Sequence, residues 1–379
     1  MEAIYLDHAA TTPMSEEVKE AVCREADAYF GNPSSIHSFG RRARKLLDEA
    51  RKVIAASIHA SDREIIFTSG GTEADNMALI GTALARRHEG RHIITTAQEH
   101  HAVLHAAEHL EKQGFDVTYL PVYENGKISP ADLNAALRPD TIVVSVMFAN
   151  NETGVIQPIA EIAALLRDHP AYFHTDAVQA FGSIDMDVRQ LGVDLLSVSG
   201  HKINGPKGIG FLYAAQHVKL EPLLFGGEQE RKRRSGTENT TGAAGLVTAV
   251  KHAAEKRQAR AEAYGSYKEA FLNELKAENV AFSVNGLLEE TIPSTVNLSF
   301  PGTHVEQLLM NFDLAGVAAA SGSACTAGSH EPSHVLVAMY GKEDTRTMNS
   351  VRFSFGILNT LEQSQEAARR IAKIIKRLV

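Results

Sequence analysis

At 379 residues, with 44% hydrophobic and 22% charged content, the chain has the composition of a soluble globular enzyme, long enough for one large α/β domain and a smaller one. The formal net charge of −8 speaks against direct nucleic-acid binding, and no apolar run approaches the roughly 20 residues of a bilayer span, so no membrane contact is expected. Two cysteines cannot staple a scaffold, and the opening Met-Glu-Ala-Ile-Tyr-Leu-Asp-His lacks the basic and apolar regions of a signal peptide, so reduced thiols in the cytoplasm are expected.

The first helical periodicity, Glu16 to Ala26, puts Cys23 on the side of Val18 and Val22 and predicts a small core hydrophobe there. From about residue 60 to 215, β-rich runs at 64–68, 92–96, 117–122, 141–148, 172–176 and 195–199 alternate with helical runs at 72–87, 100–113 and 159–167. This alternation predicts a mainly parallel sheet covered by helices on both faces, with ligands bound beyond the strand carboxyl ends. Residues 240–277 are rich in alanine and glutamate with helical spacing. They lead to strands near 280–284, 296–300 and 351–355 and an amphipathic ending at 361–378. The expected division is a large cofactor-binding domain of residues 15–255, and a smaller α+β domain of residues 1–14 and 256–379 that carries Cys325.

The chemistry-bearing motifs follow in order. In Phe67-Thr-Ser-Gly-Gly-Thr72 a strand runs through a glycine pair into a helix, whose free amides make an anion cup with the Thr72 hydroxyl. The alternative is a capping box, because Thr72 and Asp75 stand three apart. The glycine spacing does not fit a dinucleotide fingerprint, and Pro206 stands where a P-loop lysine would, which disfavours nucleotide phosphate. His101, His105 and His109 recur every four residues, but without the glutamate of a zinc protease helix they read as a solvated face, and no metal is expected. Asp176 ends an apolar strand, as an anchor for a pyridinium nitrogen or as a helix N-cap. The run Leu195 to Ser199 ends in Gly200-His201-Lys202, which sets an amine at a strand's carboxyl end, suited to a Schiff base. The basic run Arg231 to Arg234 reads as a solvated or subunit-facing surface. Cys325, within Ala320-Ser-Gly-Ser-Ala-Cys-Thr-Ala-Gly-Ser329, reads as a presented thiol.

Phosphate cup, pyridinium anchor, lysine and thiol in this order resemble the cysteine desulfurases, pyridoxal-phosphate enzymes of fold type I in the class-V aminotransferase superfamily. The resemblance runs from Leu6-Asp-His-Ala-Ala-Thr-Thr-Pro13 through Glu99-His100, Asn150-Asn-Glu-Thr-Gly154 and Arg234-Ser-Gly-Thr237 to Ser321-Gly-Ser-Ala-Cys325 and Arg352-Phe-Ser354. It implies pyridoxal 5'-phosphate on Lys202, with Asp176 at the ring nitrogen, His100 stacked on the ring and assisting proton transfer, and Gln179 and Asn151 near the ring oxygen or substrate. It implies Gly71, Thr72, Ser199 and His201 around the phosphate, with Thr237 added by the second subunit of a homodimer. Arg352 and Asn151 would bind L-cysteine, and Cys325 would take its sulfur as a persulfide, leaving L-alanine. A mobile cysteine loop would then pass the sulfur to an acceptor protein, an iron-sulfur scaffold or a tRNA-thiolation enzyme. A selenocysteine lyase, or another lyase or aminotransferase of the same cofactor, is the alternative. Glu228 and Lys232 depart from the small residues common in the family, and His330 from an apolar one.

Overall fold

The computed structural model describes residues 2–28, 30–322 and 331–379. In chain order the strands among them are β1 (Ile4–Tyr5), β2 (Ile65–Thr68), β3 (His92–Thr96), β4 (Asp116–Leu120), β5 (Thr141–Ser145), β6 (Tyr172–Asp176), β7 (Leu195–Ser199), β8 (Gly210–Ala214), β9 (Ser283–Val284), β10 (Thr295–Ser299), β11 (Val317–Ala318) and β12 (Ser350–Ser354).

Seven strands form one sheet in the order β2-β8-β7-β6-β5-β3-β4. β7, β6, β5, β3 and β4 pair in parallel, while β8 runs against both β7 and β2. Successive residues of its strands enter different apolar clusters. Phe67, Ile94, Val144, Leu196 and Phe211 pack with Leu47 and Ile54 of the helix Ser38–Ser57, whereas Ile66, Ile93, Val143, Leu195 and Leu212 pack with Met77, Val103 and Leu110. A period of two with both faces buried is what a sheet between two helical layers requires, and the expected mainly parallel α/β architecture is present.

A second core gathers Ile4, Leu6, Leu298, Phe353 and Phe355 around the antiparallel sheet β12-β10-β9 and the helix Leu361–Leu378. The helix Thr240–Ala277 serves both cores, giving Leu246 and Val250 to the first and Phe271 and Leu275 to the second. Its 38 residues span about 57 Å at the usual rise of about 1.5 Å per residue. The chain's beginning belongs to the second core as well, since β1 pairs in parallel with β11.

Cys23 departs from expectation. On the helix Glu16–Ala28 the buried positions are Val18 and Ala21, and Cys23 is exposed. Five residues past Val18, at about 100° per residue, it has turned about 140° away from the core. Among the described residues no helix is long and apolar enough to cross a membrane.

Candidate active site

The connections at the carboxyl ends of β2, β3, β5, β6 and β7 open onto one cleft of about 350 Å³. It is lined by Gly71 and Thr72 after β2, His100 after β3, Met147 and Asn151 after β5, Asp176 and Gln179 at the end of β6, and Ser199, His201 and Lys202 after β7. Arg352 reaches in from β12, and Ala9 and Ala10 from the segment after β1.

Lys202 ends a tight turn, Gly200–Lys202, which closes because Asn204 adopts the left-handed conformation with φ 65° that asparagine tolerates. The turn is sewn to the amino-terminal segment: the Asn204 N–H donates to Thr12 Oγ1 at 2.9 Å, and its side chain donates to the Pro13 carbonyl at 3.0 Å. Lys202 Nζ donates to the carbonyls of Ala9 and Ala10 at 2.5 and 2.9 Å, and Gln179 donates to Ala9 at 3.0 Å. His201 Nδ1 lies 3.1 Å from Thr11 Oγ1.

Asp176 is buried, and burial pushes its carboxyl up to about 6 while the Lys202 cation pulls it down. Its Oδ1 accepts the Val178 N–H at 2.8 Å, so the bond of a turn cap and a place on the cleft wall coexist in one residue. His100 caps the helix His101–Lys112 through Nδ1, which accepts the Ala102 N–H at 3.1 Å. Burial, then the Lys202 charge, lowers its pKa to about 4. Near neutral pH the ring is therefore uncharged, and because Nδ1 accepts, its proton sits on Nε2.

The capping box between Thr72 and Asp75 is not formed. The helix Gly71–Asn76 starts at Gly70 without a side-chain cap, and Glu73 reaches back to the Ser69 N–H at 2.7 Å. A Cβ on Gly71 would lie 2.8 Å from Val178 Cγ2, so glycine lets the helix start come this close to the end of β6. On the opposite wall Arg352, 3% exposed, donates to the Asn151 carbonyl at 3.0 Å and to Asp7 Oδ1 at 2.8 Å. Its Nε has no hydrogen-bond partner among the described residues.

A polar layer on and behind the cleft wall supports these residues, and Asp75 lines the cleft itself. His174 bonds Ser145 at 2.8 Å and Ser197 at 3.0 Å and stands 3.6 Å from Asp75, with burial lowering its pKa to about 3. Burial first, then the neighbouring Asp176, raises the Asp75 carboxyl well above its ordinary value. Glu99 accepts from Thr96 at 2.8 Å and the Met147 N–H at 2.9 Å, yet burial pushes it up to about 8. In the sequence Asp7 stands out only within the opening motif, and Asp75 only as the partner of Thr72 in a capping box.

Gly71, Thr72, His100, Asn151, Asp176, Gln179, Ser199, His201, Lys202 and Arg352 thus meet in one cleft. Thr237 is exposed and does not line it. Cys325 and His330 lie outside the described residues. His105 and His109 are exposed, while His101 is half-buried, with its ring centroid 4.6 Å from that of His334.

The family model described as Aminotransferase class-V matches residues 4–366. The chain is 61% identical over 378 residues to the "Putative cysteine desulfurase IscS 1" of Bacillus subtilis strain 168, covering 100% of both chains. A solved structure described as "NIFS-LIKE PROTEIN" superposes with a TM-score of 0.92 at 32% identity, covering 99% of this chain and 100% of that one. Another, "SspA in complex with cysteine", gives a TM-score of 0.83 at 36% identity, with 93% and 98% covered.

Proposed function

The chain belongs to the aminotransferase class-V family and within it to the cysteine desulfurases, and from that premise we propose how its own residues divide the reaction. The Cβ–Sγ bond of L-cysteine breaks, the sulfur joins Cys325 Sγ as a persulfide, and the remaining amino acid takes up protons and leaves as L-alanine. One sulfur atom moves, and no outside oxidant or reductant is consumed.

Pyridoxal 5'-phosphate fits the donor set of the cleft: an amine for its carbonyl carbon, a buried carboxylate for a ring nitrogen, and an uncapped helix start with Ser199 and His201 beside it for a phosphate. When bound, it supplies an electron sink for the pair left behind when the Cα proton is removed. Lys202 binds it and, once displaced by substrate, moves the proton at Cα. The Ala9 and Ala10 carbonyls hold the amine within the cleft. Asp176 keeps the ring nitrogen protonated, and a cation there would draw its carboxyl back down. Neutral His100 would cover the ring and assist proton transfer by presenting its Nε2–H as a hydrogen-bond donor to the group that carries the moving proton. Gly71, Thr72, Ser199 and His201 take the phosphate, joined by Thr237 of a second copy in a homodimer. Gln179 and Asn151 orient the ring oxygen and the substrate.

Arg352 binds the substrate carboxylate with its planar guanidinium, which lines the cleft. Cys325 attacks as a thiolate and later hands its sulfur to an acceptor protein in the cytoplasm, an iron-sulfur scaffold or a tRNA-thiolation enzyme. The observation that carries this reading is the convergence of Asp176 and Lys202, which follow the neighbouring strands β6 and β7, with Arg352 from β12 on one cleft.

The test is a single turnover of the pyridoxal-phosphate-loaded protein with L-cysteine and no added reductant, followed by intact-mass analysis and alanine quantification. The expected result is one sulfur added at Cys325 with an equal amount of alanine, both lost in Cys325→Ala. Normal alanine and adduct formation by Cys325→Ala would overturn the assignment.

A further inference from the structure

Glu152 lies in the turn Asn150 to Gly154, is 1% exposed, and has no part in the roles assigned above. Burying a carboxylate is costly unless its surroundings use it, so its neighbours indicate its task. Ser333 Oγ donates to Glu152 Oε2 at 2.5 Å, and the same hydroxyl caps the helix His334–Tyr340 by accepting the Leu336 N–H at 3.2 Å. From the other side, Gly322 packs so tightly on the carboxylate that a Cβ there would fall 1.7 Å from Oε2 and 2.3 Å from Cδ. Glu152 therefore touches the residue just before, and the residue three beyond, the undescribed stretch 323–330.

The turn is itself fixed. Asn150 Oδ1 accepts the Glu152 N–H at 2.9 Å, and Asn297 of β10 donates to the Glu152 carbonyl at 3.2 Å. The neighbouring Asn151 carbonyl accepts from Arg352, and Arg352 and Ala320 exchange backbone bonds of 2.7 and 3.3 Å. The Ser333 hydroxyl and the Arg352 charge oppose the upward push of burial on the Glu152 carboxyl. One turn thus holds both the guanidinium assigned to the substrate carboxylate and the two roots of the segment that carries the thiol.

We propose that Glu152 is a positioning residue that ties both roots of the Cys325 segment to the turn holding Arg352, and so sets the nucleophile's distance from the substrate sulfur. The proposal rests on the reading of Cys325 as the sulfur acceptor.

The test compares wild type, Glu152→Ala, Glu152→Gln, Gly322→Ala and the Glu152→Ala/Gly322→Ala double variant, all loaded with pyridoxal phosphate. Glu152→Ala is expected to keep the cofactor absorbance and the L-cysteine binding midpoint. Its first-turnover rate of alanine and adduct formation is expected to fall by about 10- to 100-fold, the effect of a misplacement of about 1 Å. Glu152→Gln, which still offers an oxygen to Ser333, retains most of the rate. Gly322→Ala is slow alone, yet adds no further loss in Glu152→Ala, where the space for its methyl has been vacated. If Glu152→Ala does not accumulate folded, Glu152→Ser takes its place. Wild-type turnover by Glu152→Ala or Glu152→Ser, or losses that multiply in the double variant, overturns the proposal. Cys325→Ala run in parallel separates the two readings, because alanine and adduct from that variant would defeat the assignment of Cys325 whatever Glu152 does.

Discussion

Replacing Arg352 with alanine is expected to cripple L-cysteine binding while leaving cofactor binding intact. The guanidinium is almost wholly buried, lines the cleft, and holds Asp7 and the Asn151 carbonyl. Removing one member of a desolvated charge pair costs about 2–5 kcal/mol. At about 1.4 kcal/mol per tenfold, that corresponds to about 30- to 4,000-fold in the dissociation constant. Part of any loss could come from the released Asp7 and Asn151, and cysteamine, which is cysteine without its carboxylate, separates the two contributions. In absorbance titrations the wild type should already bind cysteamine more weakly than cysteine, and Arg352→Ala should affect cysteamine far less than cysteine. An unchanged cysteine midpoint, or equal losses for both ligands, would refute the carboxylate role.

Lys202→Ala is expected to lose both the absorbance of the lysine-bound cofactor and alanine production, as spectra and product analysis will show. Arg51→Ala should cost about 3–5 kcal/mol in urea unfolding, because it strands a buried carboxylate. Arg51 bonds Glu230 at 2.6 and 2.7 Å, and Glu230 also accepts the Phe67 N–H at 3.0 Å, so Arg51→Met combined with Glu230→Gln should be milder than the single change. The Glu99 carboxyl, raised by burial from 4.5 to about 8, keeps its proton in the folded state while the unfolded chain has released it. Its contribution to stability therefore falls as pH rises from about 4.5 to about 8 and is constant outside that window. Glu99→Gln should flatten that fall relative to wild type in denaturation curves between pH 5 and 8, and an unaltered slope would show that Glu99 is ionised.

The sequence showed the parallel strands and the helix 240–277 because both have strong, uninterrupted patterns. β8 went unremarked because its run Gly210–Ala214 has no helix before it to mark an alternation, and an antiparallel return needs none. The long helix Ser38–Ser57 was passed over too, its apolar residues diluted by arginine and lysine on the outer face. Cys23 was misplaced because Val22 beside it is only partly buried and the true inner line runs through Val18 and Ala21. Lys202, Asp176 and the Gly71–Thr72 turn were legible because each stands at the carboxyl end of a strand, whereas Arg352, in the middle of β12, was reached only through the resemblance. The supporting roles of Asp7, Asp75, His174 and Glu152 were not legible, since contacts between separate elements, 23 to 345 positions apart, leave no local pattern.

The position of the chain's beginning has a consequence for how the protein is made. Ala9 N–H bonds Ser354 Oγ across 345 positions, the Tyr5 carbonyl accepts from Asn359, and Ile4 and Leu6 pack with Phe353 and Phe355. At a synthesis rate of about 5–20 residues per second, these first residues wait about 20–70 s on the ribosome for their partners. Nascent chains stalled before residue 350 can build the central sheet, but they lack Arg352 on the cleft wall and the bonds from Ser354 and Asn359 that tie down the amino-terminal segment.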